Sequence, residues 1–408
     1  MTGPAVGAGR YRHRMHRFDD DERRRRLGVR HRLAPGTRDH DLAAAAASVV
    51  ALHGTDPTST FISAWARCDD GLGVVDVERA LYDDRSLVRV MAMRRTVFVA
   101  AAADVPVLLA GAADDVAREE RRKLVALLGA GGVDDPDAWL EQVEEVAVDV
   151  IGRLGVATPA DLAAADERLA TTIVLSPGTR NETTVRIASR VLTVLGAQGR
   201  VVRGRPKGSW ASTQFQWSTL HDWAPAAAVA VDPLQAEAAL ARRWLARFGP
   251  APEADLTWWT KWTKTRTRRA LAAIDAVEVE IGGVPAWALA DDLDPTPAVA
   301  PWVALLPALD PTPMGWKGRD FYLGAHSTAL FDTTGNIAAT AWCDGRIVGG
   351  WAHLPSGEIA IRLLDDVGAE ASAALEARAA QLASTIGSVR LSPRGRRASP
   401  LERELLGG

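Results

Sequence analysis

Among the side chains able to do chemistry, His53 stands in the most suggestive place. It follows the apolar run Val49-Val50-Ala51-Leu52 and precedes Gly54-Thr55-Asp56-Pro57, so it reads as a histidine at a helix end beside a tight turn. An imidazole there is either a packed, neutral ring or a general base near neutral pH, and the residues leave both open. Asp56 followed by Pro57 makes a good N-cap and N1 pair for the next helix. Gln214 and Gln216, two apart in an expected strand, share one face and read as an exposed polar edge. The adjacent pair His221-Asp222 reads as surface. Cys68 and Cys343 lie in neither a CxxC nor a CxxH spacing, which excludes a zinc ribbon or finger and fits a reducing compartment. The chain has no GxSxG, no P-loop, no HExxH and no GxGxxG opening a helix. Serine hydrolase, NTPase, zincin and dinucleotide readings therefore lack support.

Charge is the second chemical resource. The net charge of −3 over 408 residues hides strong segregation. Residues 1–40 hold eleven Arg against five acids, residues 200–270 twelve Lys or Arg against five acids, and residues 69–150 eighteen acids against nine bases. That pattern fits a basic face opposed to an anion with an acidic back, or simply solvated faces. Arg203, Arg205 and Lys207 stand at the tip of an expected hairpin. Lys261, Lys264, Arg266, Arg268 and Arg269 surround the turn and second helix of an expected helix-turn-helix. Cations at such places reach phosphates, so double-stranded DNA is the expected partner, with a protein–protein scaffold as the competing reading.

The elements that must carry these residues follow from pattern and punctuation. A hydrophobic share of 47% and a charged share of 24% describe an ordinary globular chain of two to four domains. No apolar stretch spans a membrane and no apolar region follows the basic N-terminus, so no membrane partner is expected and the location is cytoplasmic, associated with the nucleoid. Residues 1–20 read as a disordered basic arm. Residues 21–103 hold three or four helices and then a strand. Residues 104–230 begin with acidic connector helices, continue through a capping-box start at Thr158, Pro159 and Asp161 and a helical stripe at Val185, Ala188, Val191, Leu192 and Leu195, and end in a hairpin. In residues 231–292 the pattern RxGxAxxADL, first seen as Arg153, Gly155, Ala157, Ala160, Asp161 and Leu162, recurs as Arg247, Gly249, Ala251, Ala254, Asp255 and Leu256. An internal repeat of helix-turn-helix units accounts for it. Trp258, Trp259 and Trp262 lie in that unit and read as core more than as a stacking platform, while one of Trp210, Trp217 and Trp223 is a candidate to stack on a base. A proline-rich connector then leads into residues 293–408, with three strand-like runs, a helix at about 368–386 and a short strand at SVRLSP. The expected fold is α+β: three tandem winged helix-turn-helix domains followed by a small antiparallel β-barrel.

Several stretches carry a family resemblance. RHRLAPGTRDHDLAAAAASVVALHGTDPTSTFISAWAR, SLVRVMAMRRTVFVAA, RWLARFGPAPEADLTWWT, PWVALLPALDPTPMGWKGRDFYLG and WCDGRIVGGWA together resemble the AlkZ-like, or YcaQ, winged-helix DNA glycosylases. The resemblance implies a concave DNA-binding surface and no metal or organic cofactor, and three winged helices in one chain with no dimer-forming heptad fit a monomer that embraces DNA. In that family a Gln-x-Gln or Gln-x-Asp pair sits in a context of the LQAQDP type. Here the same place reads Leu52-His53-Gly54-Thr55-Asp56-Pro57, with His53 for the first Gln and Thr55 for the second Gln or Asp. Excision of a cationic alkylpurine needs little acid catalysis, so the implied tasks are placing a water and stabilising an oxocarbenium ion. His53 would accept from that water, Thr55 would hold it, and Asp56 would add negative charge. Two functions stand from this pattern: a monofunctional glycosylase with a histidine in the site, or a non-catalytic DNA-binding protein or transcriptional regulator. The first expects His53 and Thr55 on the basic concave face, the second expects them buried or turned away.

Overall fold

The computed structural model describes residues 15–176, 178–180, 182–391 and 398–407. Three times along them one order of elements recurs: a helix, a short extended link, two helices and a hairpin. The first set runs through helix Leu42–Ala47, strand Leu52–His53, helix Pro57–Arg67, helix Val74–Glu78 with its continuation Arg79–Asp83, and strands Leu87–Ala92 and Thr96–Ala101. Leu52–His53 pairs with the second hairpin strand, Leu52 opposite Val99 and His53 opposite Phe98. The second set has helices Pro136–Leu154, Pro159–Ala165 and Ile187–Ala197, then strands Val201–Pro206 and Phe215–Thr219. The third has helices Pro233–Phe248, Glu253–Thr260 and Lys264–Ala273, then strands Ala276–Ile281 and Val284–Leu289.

The repeated RxGxAxxADL pattern has a structural cause. Ala157 exchanges backbone hydrogen bonds of 2.9 and 2.8 Å with Trp217, and Ala251 exchanges bonds of 3.0 and 2.9 Å with Trp287. Each alanine is buried at the bridge that joins the helix link to the hairpin of its own unit. Leu162 and Leu256 are the matching core anchors one turn into the next helix. The repeated aspartates diverge. Asp161 completes a capping box with Thr158, while Asp255 accepts the backbone N–H groups of Lys317 and Gly318.

Four expectations are corrected. His53 does not end a helix: the helix stops at Ala47, the chain turns through Val50 at φ 66, and His53 lies in a strand. Gly54 N–H donates to the Val97 carbonyl at 2.8 Å, and a Cβ on Gly54 would come within 3.1 Å of Val99. Sheet pairing therefore overrides the helical spacing there. Val185 belongs to a strand, Thr183–Arg186, paired with Thr172–Leu175, because the β-branched run TTV outweighs helical periodicity. The C-terminal strands Val303–Leu306, Thr340–Cys343, Arg346–His353 and Ile359–Leu363 form an open antiparallel sheet in that order. The expected barrel is not closed, since helix Gly368–Ile386 packs against both outer strands in place of their pairing. SVRLSP shows no strand in its described part, Ser388–Leu391, and its last two residues lie outside the described residues.

Most of the expected disordered arm, residues 1–14, likewise lies outside the described residues. Its end is ordered, with Arg17–Phe18 pairing in parallel with Glu280 and Ile281. The arginine run that follows binds the protein itself. On helix Asp20–Arg30, Arg26 pairs with Glu22 at 2.6 Å and reaches the Asp292 and Asp294 carbonyls, and Arg30 pairs with Asp292 at 2.6 Å.

One buried polar chain ties the ends of the molecule to its centre. Arg67, on the helix after the His53 turn, pairs with Asp310 at 2.7 Å, both side chains at 0% exposure. Asp310 also accepts from Ser63 at 2.5 Å, and Arg67 donates to Thr312 Oγ1 at 2.7 Å. His31 Nδ1 lies 2.9 Å from that hydroxyl, and its Nε2 lies 3.1 Å from the Arg247 carbonyl. A carbonyl only accepts, so Nε2 carries the proton and Nδ1 accepts from Thr312. The ring is neutral. Burial, reinforced by the Arg67 charge, pushes its pKa down to about 3.

Two outcomes follow. Arg67→Met strands the Asp310 carboxylate and lowers the unfolding free energy by about 3–5 kcal/mol in denaturant titration. Unfolded His31 takes up a proton near pH 6.5 and the folded ring only near 3, so stability is lost as pH falls through that window. The denaturation midpoint therefore drops more steeply between neutral and moderately acid pH in the wild type than in His31→Gln.

Candidate functional site

The turn His53-Gly54-Thr55-Asp56 links a strand to a helix, and each residue is held differently. His53 is fixed by its pairing with Phe98 and by the Thr60 hydroxyl, which donates to its carbonyl at 2.9 Å. Its side chain is enclosed, the residue retaining 6% exposure, whereas Thr55 is exposed. The Thr55 hydroxyl accepts from Val97 N–H at 3.3 Å. Asp56 is the N-cap of helix Pro57–Arg67, accepting from Thr58 N–H at 3.0 Å, Thr58 Oγ1 at 2.9 Å and Ser59 Oγ at 3.2 Å. It also borders a small cavity of about 70 Å³ shared with Trp351, His353 and Glu402 of the C-terminal region. The structure thus brings His53, Thr55 and Asp56 together on one turn, with only Thr55 openly presented.

Beside that turn is a feature the sequence reading passed over. The hairpin strands meet at Met93-Arg94-Arg95, three residues from the Val97 that binds Gly54 and Thr55. This tip touches helix Asp114–Ala130 and helix Glu253–Thr260. Arg95 pairs with the buried Glu120 at 2.6 Å. Burial alone would raise the Glu120 pKa, but the Arg95 and Lys123 hydrogen bonds and charges hold its carboxyl below the usual range. Arg94 stacks on the half-buried Trp258 at 4.1 Å, and Arg319 approaches the same ring at 5.0 Å. The signal was present in SLVRVMAMRRTVFVAA, where two β-like runs flank an Arg-Arg tip, but the second run alone was read as a strand.

The expected DNA-binding cations divide into two groups. Arg205 pairs with Glu78 and Asp83 at 3.2 Å each, Arg266 with Asp115 and with Glu237 at 2.8 Å, Arg268 with Glu253 at 2.8 Å, and Arg269 with Glu237 at 2.5 Å. These four are engaged in ion pairs within the protein. Lys207, Lys261 and Lys264 are exposed and form no ion pair among the described residues. Arg203 lies 5.3 Å from the rings of both Phe215 and Trp217, and burial lowers its pKa to about 10. Trp210, Trp217 and Trp223 are buried, so none offers an open stacking face, and Trp259 and Trp262 are core as expected. Among the described residues no cluster of three His, Cys, Asp or Glu side chains is placed to hold a metal. No described helix is long and apolar enough to cross a membrane.

Known proteins share this architecture. Residues 46–385 match the family described as DNA glycosylase AlkZ-like. The fold is similar to that of Streptomyces sahachiroi DNA glycosylase AlkZ, with a TM-score of 0.69 and 19% identity over 90% of this chain and 97% of that one. There is no match among curated proteins.

The cap and the proposed chemistry of Asp56 separate by substitution. Asp56→Ala lowers stability by about 1 kcal/mol, and Asp56→Asn, itself a good N-cap, leaves the melting temperature close to that of the wild type.

Proposed function

The chain belongs to the AlkZ-like DNA glycosylase family, and from that membership we propose that it hydrolyses the N-glycosidic bond of a cationic alkylated purine in duplex DNA. We read its three repeats, within residues 21–103, 104–230 and 231–292, as winged helices that embrace the duplex as a monomer. The repeated bridge from the first helix link to the second hairpin strand supports that reading. Lys207, Lys261 and Lys264 would contact phosphates directly, with Arg203 beside them. Arg205, Arg266, Arg268 and Arg269 would do so by exchanging a carboxylate partner for a phosphate.

The observation that carries the proposal is the placement of the His53–Thr55 turn. It is joined through Gly54 and Thr55 to the hairpin that carries Arg94 and Arg95 at its tip, on the unit where the resemblance puts the catalytic pair. The chemistry asked of it is modest. Water attacks C1′ as the C1′–N bond breaks, and the bond electrons neutralise the purine, which leaves uncharged. His53 takes the proton from water and later returns it to solvent, while the Thr55 hydroxyl fixes the water. Asp56 offers a carboxylate on the same turn to an oxocarbenium ion, although its oxygens already receive three hydrogen bonds.

A second reading has its own observation. The enclosure of His53 favours a DNA-binding protein that has lost excision and acts as a regulator. The two separate in one assay, which follows abasic-site formation as alkali-labile strand scission in duplexes carrying N7- or N3-alkylpurines. The glycosylase reading expects release by the wild type and loss of at least about a hundredfold in rate for His53→Ala, with DNA affinity retained. Salt-dependent binding without release would favour the regulator.

A further inference from the structure

Trp258 gathers two guanidinium groups, neither of which forms an ion pair among the described residues. Arg94 comes from the hairpin tip of the first repeat, Trp258 from the second helix of the third, and Arg319 from the C-terminal region, and both guanidiniums lie within 5.0 Å of the ring centroid. Among the described residues Arg94 forms neither a hydrogen bond nor an ion pair. The charged group that bears on it is Arg319, and burial together with that like charge lowers its pKa. Arg319 is anchored from behind. Its Nε donates to the Trp316 carbonyl at 3.0 Å and its guanidinium rests 4.9 Å from the Phe331 ring. The carboxylate that feels Arg319 is Asp255, which is buried and already accepts the Lys317 and Gly318 N–H groups at 3.0 and 2.9 Å. Two half-buried like charges on one ring repel each other, and a shared anion relieves the repulsion.

The backbone makes the same point independently. Arg94 and Arg95 have φ values of 58° and 59°, the left-handed region that glycine and asparagine occupy at lower cost. Arg95 has a visible reason to be arginine in its pair with Glu120. Arg94, half-buried, has the Trp258 ring and no hydrogen bond or ion pair among the described residues. Strain at a tip that would fold better with glycine marks a place where the side chain has a task.

We propose that Arg94 and Arg319 clamp one phosphodiester group of DNA, with the Trp258 indole as the floor of the site. This rests on the DNA-binding reading above. The planar guanidinium presents paired donors that match phosphate oxygens, and stacking on an aromatic face pre-orients it. Val97, bonded to Gly54 and Thr55, is three residues from Arg94, at most about 10 Å along the backbone. The clamp therefore fixes the strand within a nucleotide or two of the His53 turn and determines which sugar faces it.

The test uses full-length protein and an undamaged fluorescein-labelled duplex, with affinity measured by anisotropy across a salt series. Arg94→Asn tolerates the left-handed backbone, so its melting temperature equals or exceeds that of the wild type. Its slope of log K against log salt falls by part of the about 0.9 that one phosphate contributes, and Arg94→Asn with Arg319→Gln falls by the whole of it. Arg94→Lys retains most of the slope. An unchanged slope in Arg94→Asn, with the wild type still binding in a salt-dependent way, overturns the clamp and leaves the DNA reading standing. A lowered melting temperature with unchanged slope reduces Arg94 to a pin between repeats and also overturns it. Absence of binding by the wild type removes the DNA reading, and the clamp with it.

Discussion

The buried pair of Arg67 and Asp310 is the constraint on which the rest of the architecture depends. A charge pair at 0% exposure is costly to desolvate, and it persists because every partner is supplied: Ser63 and Thr312 beside it, His31 beyond them, and the Arg247 carbonyl at the end. Those groups belong to the helix after the His53 turn, the loop before Pro311, the N-terminal segment and the first helix of the third repeat. Phe248 and Trp316 close around the imidazole with ring centroids 4.8 and 5.8 Å away. The first and third repeats are thereby fixed against the C-terminal region, and the His53 turn inherits a rigid base. Rigidity of that kind is what a site needs if it works by positioning a water.

Arginine does two kinds of work in this chain, and charge counts do not distinguish them. Arg26 and Arg30, in the basic N-terminal segment, are bound to Glu22, Asp292 and backbone carbonyls, and Arg266 and Arg269 meet at Glu237. These side chains hold elements together. Among the described residues Arg94 and Arg319 form no ion pair, and they stand where three separated parts of the chain meet. A basic stretch in the sequence thus marks either a staple or a binding surface, and the difference lies in whether an acid is brought opposite it.

Much of the fold was legible because its signals are local. The Asp56-Pro57 cap and the Thr158 capping box both form as their residues require. The repeated alanines were visible as identities, though their reason, a bridge to a distant tryptophan, was not. What the sequence hid depends on pairing partners far away. His53 became a strand residue because Val97, Val99 and Phe98 pair beside it, and the C-terminal sheet stayed open because a helix covers its outer strands. At the candidate site the residue types were readable at His53, Thr55 and Asp56. The Arg94–Trp258–Arg319 cluster was not, since its members lie far apart in sequence and meet only in the folded chain.

The glycosylase reading requires the His53 turn to lie on the face that receives DNA. A crystal structure with a duplex carrying a tetrahydrofuran abasic analogue tests it directly. The expected complex has the tetrahydrofuran ring against His53 and Thr55, with the imidazole in hydrogen-bond reach of a water beside C1′. A duplex bound on another face, or a His53 ring still sealed from the sugar, would contradict it.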